Sequence, residues 1–254
     1  TETAVEIYLF LIGNRKRETA MRKKQKISKV KRIGTCLVAC IMIAAMTITS
    51  VPLFQTEVRA AGVSNPWDGS SREVPETDED GTYLIHNGAQ LAWFADQVNQ
   101  GKGSLNAVLC NDISLGGKYW TPIGKSADKT FSGTFDGQGH VIRGLYQDVE
   151  SDFTGLFGAV RGAGASVSHL TVSGNIKLGG RVTYVAGIAG YVAGKNSDAK
   201  AQITDCHSKV SITVTGIRTL DAGVAGVAGY STNAKITNCS NEATVEIVSA
   251  GRGG

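Results

Sequence analysis

The sequence predicts an all-β protein built as a parallel β-helix, and three observations indicate this fold. Between residues 155 and 247 nearly the same pattern occurs three times: a pair of glycines followed by a short ladder of apolar residues. Measured at one ladder position, residues 170, 206 and 239, the copies are 36 and 33 residues apart, a period typical of stacked repeats. The ladders alternate apolar and polar residues and are rich in β-branched side chains, as residues 210–214 illustrate.

Each repeat has a glycine pair and one anchor residue in its ladder. The pairs are Gly155 and Gly158, Gly187 and Gly190, and Gly226 and Gly229, and the anchors are Leu170, Cys206 and Cys239. Paired glycines fit corners at which the chain turns tightly or two backbones approach closely. Because one such unit cannot bury its apolar face alone, stacking at the strand spacing of roughly 4.8 Å is expected to build a continuous core.

The first sixty residues read as a leader. We interpret residues 1–20 as an upstream extension that is not native, since Met21 opens a basic run ahead of an apolar stretch over 33–50. Residues 21–60 then form a signal peptide, with cleavage expected after Ala60. The alternative is an uncleaved membrane anchor, because the apolar stretch approaches the ~18 residues that a spanning helix needs.

The positive charge of the chain belongs to this leader. The whole chain has a formal net charge of +4. Residues 61–254 carry 15 basic and 18 acidic side chains, a net charge of −3. Nothing after the leader therefore indicates a nucleic-acid surface. The cysteines that follow it are odd in number and lack zinc-site spacing, which excludes a disulfide scaffold and a zinc finger.

Three further segments follow the leader. Residues 61–82 are interpreted as an acidic linker, with a calcium site as the alternative reading of its carboxylates. Residues 83–154 hold an N-terminal cap and the first coils: Asn87 caps an amphipathic helix that ends at Gly101 and is expected to cover the open edge of the first coil. Its alternative role is partner binding. Residues 155–254 are the repeats.

A family resemblance rests on these residues. The glycine pair followed by the segments at 203–206 (Ile-Thr-Asp-Cys) and 236–239 (Ile-Thr-Asn-Cys) resembles the GLUG motif. The stretches at 120–124 and 131–140 are similar to the segment that leads into such repeats in secreted proteins of Gram-positive bacteria. The resemblance runs from about Trp67 to the end. It implies a right-handed β-helix on a secreted or surface protein, and it supplies no catalytic residue.

Histidines, carboxylates and aromatic side chains are the candidate chemical groups of the sequence. The histidines are His86, His140, His169 and His207, and none lies in a His-Glu-x-x-His pattern. His169 and His207 flank the anchors of successive repeats at positions that do not align, which favours sequence variation between repeats over a row of metal ligands. Carboxylates that a hydrolase could use are Asp112, Asp136, Asp148, Asp152 and Asp205. Asp205 aligns with Asn238, which favours a turn role. Aromatic side chains expected to be exposed and able to stack on sugars are Tyr119, Trp120, Tyr146, Tyr191 and Tyr230, although the shared repeat position of the last two favours a structural stack.

The sequence therefore predicts a secreted or cell-surface β-helix module, an adhesin-like stalk or ligand-binding scaffold without enzymatic activity, cofactor or metal. Host or matrix glycans or proteins are the expected partners, with no nucleic acid and no membrane after cleavage. The alternative is the non-catalytic N-terminal region of an extracellular carbohydrate-active enzyme or IgA-type metallopeptidase. Because the spacing places another glycine pair just past Gly254, we expect the chain to be truncated at its C-terminus.

Overall fold

The computed structural model describes residues 65–216 and 222–248. The upstream extension, the predicted signal peptide and the last six residues lie outside the described residues. The described chain is mostly β, with one helix, and forms a parallel β-solenoid of about four turns. The predicted parallel β-helix is thereby confirmed, while its handedness stays a prediction. No helix in the described ranges is both long and apolar enough to cross a membrane.

Three sheets make up the solenoid. The first contains eleven strands: β1 (Glu76–Thr77), β2 (Tyr83–Ile85), β3 (Ala107–Leu109), β4 (Ile113–Ser114), β5 (Thr134–Asp136), β6 (Val141–Gln147), β9 (Ser166–Gly179), β12 (Ala201–Thr215), β15 (Ala234–Thr237), β16 (Ser240–Asn241) and β17 (Val245–Val248). The second contains β7 (Phe153–Thr154), β10 (Tyr184–Ala186) and β13 (Gly223–Ala225). The third contains β8 (Phe157–Arg161), β11 (Ala189–Ala193) and β14 (Ala228–Thr232). The helix of the described ranges, α1, spans Gly88–Asn99.

The repeats stack in the register that the sequence predicts. Each repeat contributes one strand to each small sheet and a long ladder to the large sheet, and all of these pairings are parallel. Cys206 lies opposite Leu170. The flanking pairs Thr204–Thr237 and His207–Ser240 place Cys239 opposite Cys206. Equivalent ladder positions of neighbouring copies therefore lie directly opposite each other.

A bend directly before each anchor residue turns the ladder. His169, Asp205 and Asn238 occupy this position and have φ angles of 51°, 53° and 54°. Such left-handed backbone is uncommon for residues other than glycine, and Asn, Asp and His tolerate it best. Asp205 and Asn238 thus have the turn role expected of them, and His169 has the same role in the first repeat.

The core changes character along the solenoid. In the first coils it is aromatic: the ring centroid of Phe94 lies 6.1 Å from those of Phe131 and Phe135, and both of the latter lie 5.3 Å from Phe157. From the ladder of the first repeat onward it is aliphatic, with fully buried side chains such as Ile176 and Ile212. Edge-on and tilted contacts at these separations are the favourable geometry for aromatic pairs.

Helix α1 forms where the sequence predicts it. The side chain of Asn87 accepts a hydrogen bond from the backbone N–H of Gln90, as a helix N-cap does. Its apolar side, Leu91, Phe94 and Val98, is fully buried in the core. Covering of the first coil by this helix stays a prediction.

Residues 65–82 differ from the expected acidic linker. Trp67 is buried and packs edge-on against Trp120 at 5.8 Å, and its backbone N–H donates to Ser114. Strand β1 pairs antiparallel with β2 at the outer edge of the large sheet. The Glu73 carboxylate accepts hydrogen bonds from the side-chain amides of Asn87 and Gln90. The acidic composition suggested a solvated segment, but its one tryptophan and its local hydrogen bonds fasten it to the first coil.

Candidate functional site: the outer face of the repeats

The first glycine of each pair lies between two strands of the small sheets, β7 and β8, β10 and β11, or β13 and β14, and the second lies within β8, β11 or β14. Gly155 has a φ of 153°, and a Cβ added there would lie 2.5 Å from the carbonyl oxygen of Ala186 in the next coil. A Cβ on Gly187 would collide with the Ser208 hydroxyl and lie 2.9 Å from the carbonyl oxygen of Gly226. The glycines therefore permit close approach of successive coils and present no functional group outward.

A column of four aromatic rings runs across the outer face beside these glycines, and we call it the aromatic column: Phe153, Tyr184, Tyr191 and Tyr230. Ring centroids of neighbouring members lie 4.9–6.0 Å apart. Tyr191 and Tyr230 are nearly parallel, with an interplanar angle of 4° at 5.4 Å. The predicted stack of these two tyrosines is present, and Tyr230, 42% exposed, offers the most accessible ring.

Sequence reasoning missed the other two members of the aromatic column. Tyr184 pairs with Phe153 at an offset of 31 residues, whereas Ala189 pairs with Phe157 at an offset of 32. The extra residue falls between them, so counting back from each glycine pair puts Phe153 and Tyr184 at different distances. Aligning the copies on β8 and β11 and then allowing a one-residue gap before these strands would have brought Phe153 and Tyr184 to the same position.

The remaining aromatic candidates lie on the preceding coils. Tyr119 is 42% exposed and bridges to Tyr146, whose hydroxyl donates to Asp148 at 2.8 Å. Trp120 was expected to be exposed, but it is only 1% exposed. Its indole N–H donates to the carbonyl of Leu156 at 3.0 Å, and this inward hydrogen bond lets the large ring fill the core.

Two histidines contact aspartates of neighbouring coils along the large sheet. Asp112 contacts His140, with Oδ1 and Nδ1 3.2 Å apart. One coil later, the two ring nitrogens of His169 face Asp136 Oδ1 at 2.9 Å and Asp205 Oδ2 at 3.5 Å. A carboxylate from each neighbouring coil thus faces one ring nitrogen of His169, and the histidine links its own coil to both neighbours. His207 similarly joins the next coil through Ser240 at 2.9 Å.

The other carboxylates that the sequence raised are spread along the solenoid. Asp152 accepts a hydrogen bond from the Thr183 hydroxyl at 3.2 Å, and Asp148 accepts a hydrogen bond from the Tyr146 hydroxyl. His86 lies apart, near the helix, where burial lowers its pKa against the opposing charges of Glu76 and Glu73. Within the described ranges, no group of three or more His, Cys, Asp and Glu side chains has a metal-binding arrangement.

Asp112 is a carboxylate with a lowered pKa and partners on the neighbouring coil. Burial opposes its ionisation, yet hydrogen bonds from the Val141 backbone N–H, Arg143 and His140 hold the pKa of Asp112 below its ordinary value. A lowered carboxylate pKa stabilises the fold above the ordinary Asp pKa, and this contribution disappears as pH falls through the lowered value.

We therefore expect Asp112→Asn to lower the free energy of unfolding by about 1–2 kcal/mol at neutral pH, because it weakens charge-assisted hydrogen bonds. The difference from the parent chain should shrink as pH falls below about 4. Urea unfolding at pH 7 and near pH 3 measures both values. Asp128→Asn, a change at an exposed carboxylate, serves as the control and should differ little from the parent at either pH. A loss from Asp112→Asn that is the same at both pH values would contradict the electrostatic origin.

Comparison with known families identifies one of these repeats. A model of the GLUG motif matches residues 222–246, which hold the third glycine pair, strands β13 to β16 and the Cys239 anchor. Comparison with curated proteins and with solved structures found no match. The third copy of the repeat is therefore a GLUG motif, and the stacked register of β8 to β17 shows the two copies before it in the same arrangement, as in a GLUG-repeat protein.

Proposed function

We propose that this chain is a secreted or cell-surface β-helix module of the adhesin-like kind found in Gram-positive bacteria, which acts as a stalk or ligand-binding scaffold. The observation that carries the proposal is the in-register stacking of the repeats, which lines up the same outward positions from coil to coil. A GLUG motif on a β-solenoid is consistent with an extracellular module. A regular stack of this kind is stiff along its axis and offers extended faces for contact.

The proposed module has no catalytic chemistry of its own. Its support is that the candidate carboxylates each have a structural partner within the chain: Asp136 and Asp205 hold His169, and Asp152 accepts from Thr183. Host or matrix glycans or proteins are the proposed partners. The aromatic column is the proposed contact surface, because flat ring faces and hydroxyl edges suit both sugars and protein surfaces.

Secretion is tested by producing the chain from Met21 in a Gram-positive host and separating medium, cell wall, membrane and cytoplasm. We expect the mature species in the medium or wall fraction, with Ala61 as its first residue by N-terminal sequencing. Replacing Ala60 by a bulky residue such as Phe should block cleavage and leave the precursor with the membranes. A parent chain that stays in the cytoplasm would overturn the proposal. A parent chain that keeps residues 33–50 and sediments with membranes would show that the leader is an uncleaved membrane anchor and not a cleaved signal peptide.

Ligand binding is tested on the same secreted material, immobilised and probed with neutral polysaccharides, acidic polysaccharides and collagen. If the aromatic column is the contact surface, Tyr230→Ala should weaken the binding of one probe about tenfold, equal to about 1.4 kcal/mol. Tyr119→Ala is the matched control, since Tyr119 has the same 42% exposure and lies outside the column. An equal loss of binding in both variants would contradict the aromatic column as the contact surface. If the parent chain binds none of the probes, the ligand-binding role is wrong and only the role as a stalk is retained.

A further inference from the structure

The tyrosines of the aromatic column bring the second and third repeats into ring contact. Tyr184 and Tyr191 belong to the second repeat, and Tyr230 belongs to the third. The ring centroid of Tyr230 lies 4.9 Å from that of Tyr184 and 5.4 Å from that of Tyr191. The first repeat contributes Phe153 to the column, and its ring has no hydroxyl. Phenol rings from neighbouring coils therefore meet between the second and third repeats.

The backbone register holds two of these rings side by side. Tyr191 and Tyr230 are partners in the parallel pairing of β11 with β14, and their ring planes differ by 4°. Because adjacent parallel strands are about 4.8 Å apart, the two side chains leave the sheet at the same position of successive coils. A tyrosine ring carries its hydroxyl at the end farthest from the backbone. The stack thus brings the hydroxyl ends of neighbouring phenols to the same side.

The three rings differ in their access to solvent. Tyr230 is 42% exposed, whereas Tyr184 and Tyr191 are partly buried. An oxidant in solution can therefore take an electron from Tyr230 directly. Since the rings of Tyr184 and Tyr191 contact that of Tyr230, they can in turn give up an electron through it.

We propose that these three tyrosines are an oxidative cross-linking site, at which a haem peroxidase with hydrogen peroxide couples Tyr230 to Tyr184 or Tyr191. The product is a dityrosine within one chain, and it ties the third repeat to the second by a covalent bond. The cross-link does not depend on any ligand of the aromatic column.

The coupling is balanced with peroxide as the oxidant. The peroxide-activated haem takes one electron from each of two phenols, each hydroxyl releases its proton, and two phenoxyl radicals form. The radicals join through a new carbon–carbon bond between the ring carbons adjacent to the oxygen-bearing carbons. Each joined carbon then loses its hydrogen as a proton, and each oxygen takes up a proton, which restores both phenols. In total each tyrosine loses one hydrogen atom, and one hydrogen peroxide becomes two water molecules.

The test treats the folded chain in dilute solution with a haem peroxidase and hydrogen peroxide. Dityrosine fluorescence, denaturing gel electrophoresis and peptide mapping follow the product. We expect a chain that migrates as a monomer and is lighter by two hydrogen atoms. The peptide with Tyr230 should be joined to the peptide with Tyr184 and Tyr191. Because the stack holds these rings together, this link should be at least about tenfold more abundant than any other within the chain.

Two phenylalanine variants keep the rings and remove phenols. Tyr230→Phe should abolish the link between these peptides. The double variant Tyr184→Phe with Tyr191→Phe should also abolish it, but it leaves Tyr230 free to react and should therefore shift the product to links between chains.

Tyr119→Phe is the matched control. Tyr119 has the same 42% exposure and pairs with Tyr146 of the next coil. None of the ring contacts within the described ranges joins these two tyrosines. Tyr119→Phe should thus leave the yield of the cross-link unchanged. No link within the folded parent chain, links only between parent chains, or a link from Tyr119 to Tyr146 of equal abundance would each overturn the proposal.

Discussion

Replacing Gly155 by alanine is expected to lower the free energy of unfolding by about 2–6 kcal/mol, a large part of the stability of a domain of this size. Two effects add. The φ of 153° is a conformation that side chains other than glycine rarely adopt, which costs about 1–3 kcal/mol. The new Cβ also lies 2.5 Å from the carbonyl oxygen of Ala186 and 2.9 Å from that of Phe157, so the neighbouring coil must move. Overpacking of this kind costs a further ~1–3 kcal/mol.

A second glycine separates the two effects. Gly164 also has a left-handed φ, 81°, but a Cβ there would meet nothing within 4 Å. Gly164→Ala should therefore show the backbone cost alone, about 1–2 kcal/mol. Urea unfolding of both variants measures the difference, which reports the contact between coils. Equal losses in the two variants would show that the glycine pair serves only the backbone angle, and that close coil contact is not its reason.

The solenoid could be predicted from the sequence because its determinants are local and repeated. The ladder that contains Val210 and Ile212 alternates in and out of the core, and its anchor recurs at nearly constant spacing, so pattern and spacing together define the stack. The helix was predictable for a similar reason, since its N-cap Asn87 and its apolar stripe lie within one short stretch. These signals need no knowledge of which distant residues meet.

Features that depend on distant partners were not predictable. Residues 65–82 looked like a linker because composition shows their acidic side chains but not that Glu73 meets Asn87 and Gln90. Trp120 looked exposed because no local pattern reveals that its N–H reaches Leu156, 36 residues away in the chain. The aromatic column was half found, because one extra residue before the second glycine pair shifts Tyr184 out of the apparent alignment with Phe153.

The second large effect concerns a matched pair of isoleucines at one ladder position. Ile203 and Ile236 pair with each other across adjacent coils, yet Ile203 is 0% exposed and Ile236 is 41% exposed. Removing the buried side chain leaves a cavity, so Ile203→Ala should lower the free energy of unfolding by about 2–5 kcal/mol. Ile236→Ala removes the same atoms from a half-open position and should cost less than about 1 kcal/mol. Urea unfolding of the two variants measures this contrast directly.

The contrast arises because the third repeat is covered by a coil on one side only within the described residues. Strands β15, β16 and β17 each pair with β12 and with no other described strand, and Ile247 is 56% exposed where its counterpart Val214 is 0% exposed. Strands with one neighbour open locally at lower free energy than strands with two. Backbone amides in β15 and β17 should therefore exchange hydrogen at least about a hundredfold faster than those in β9, a difference of about 2.8 kcal/mol in opening free energy. Two results in a monomeric sample would contradict this argument from one-sided pairing. One is hydrogen exchange in β17 that is as slow as in β9, and the other is an equal loss of stability from Ile203→Ala and Ile236→Ala. Together they would mean that the third repeat is as well covered as the first.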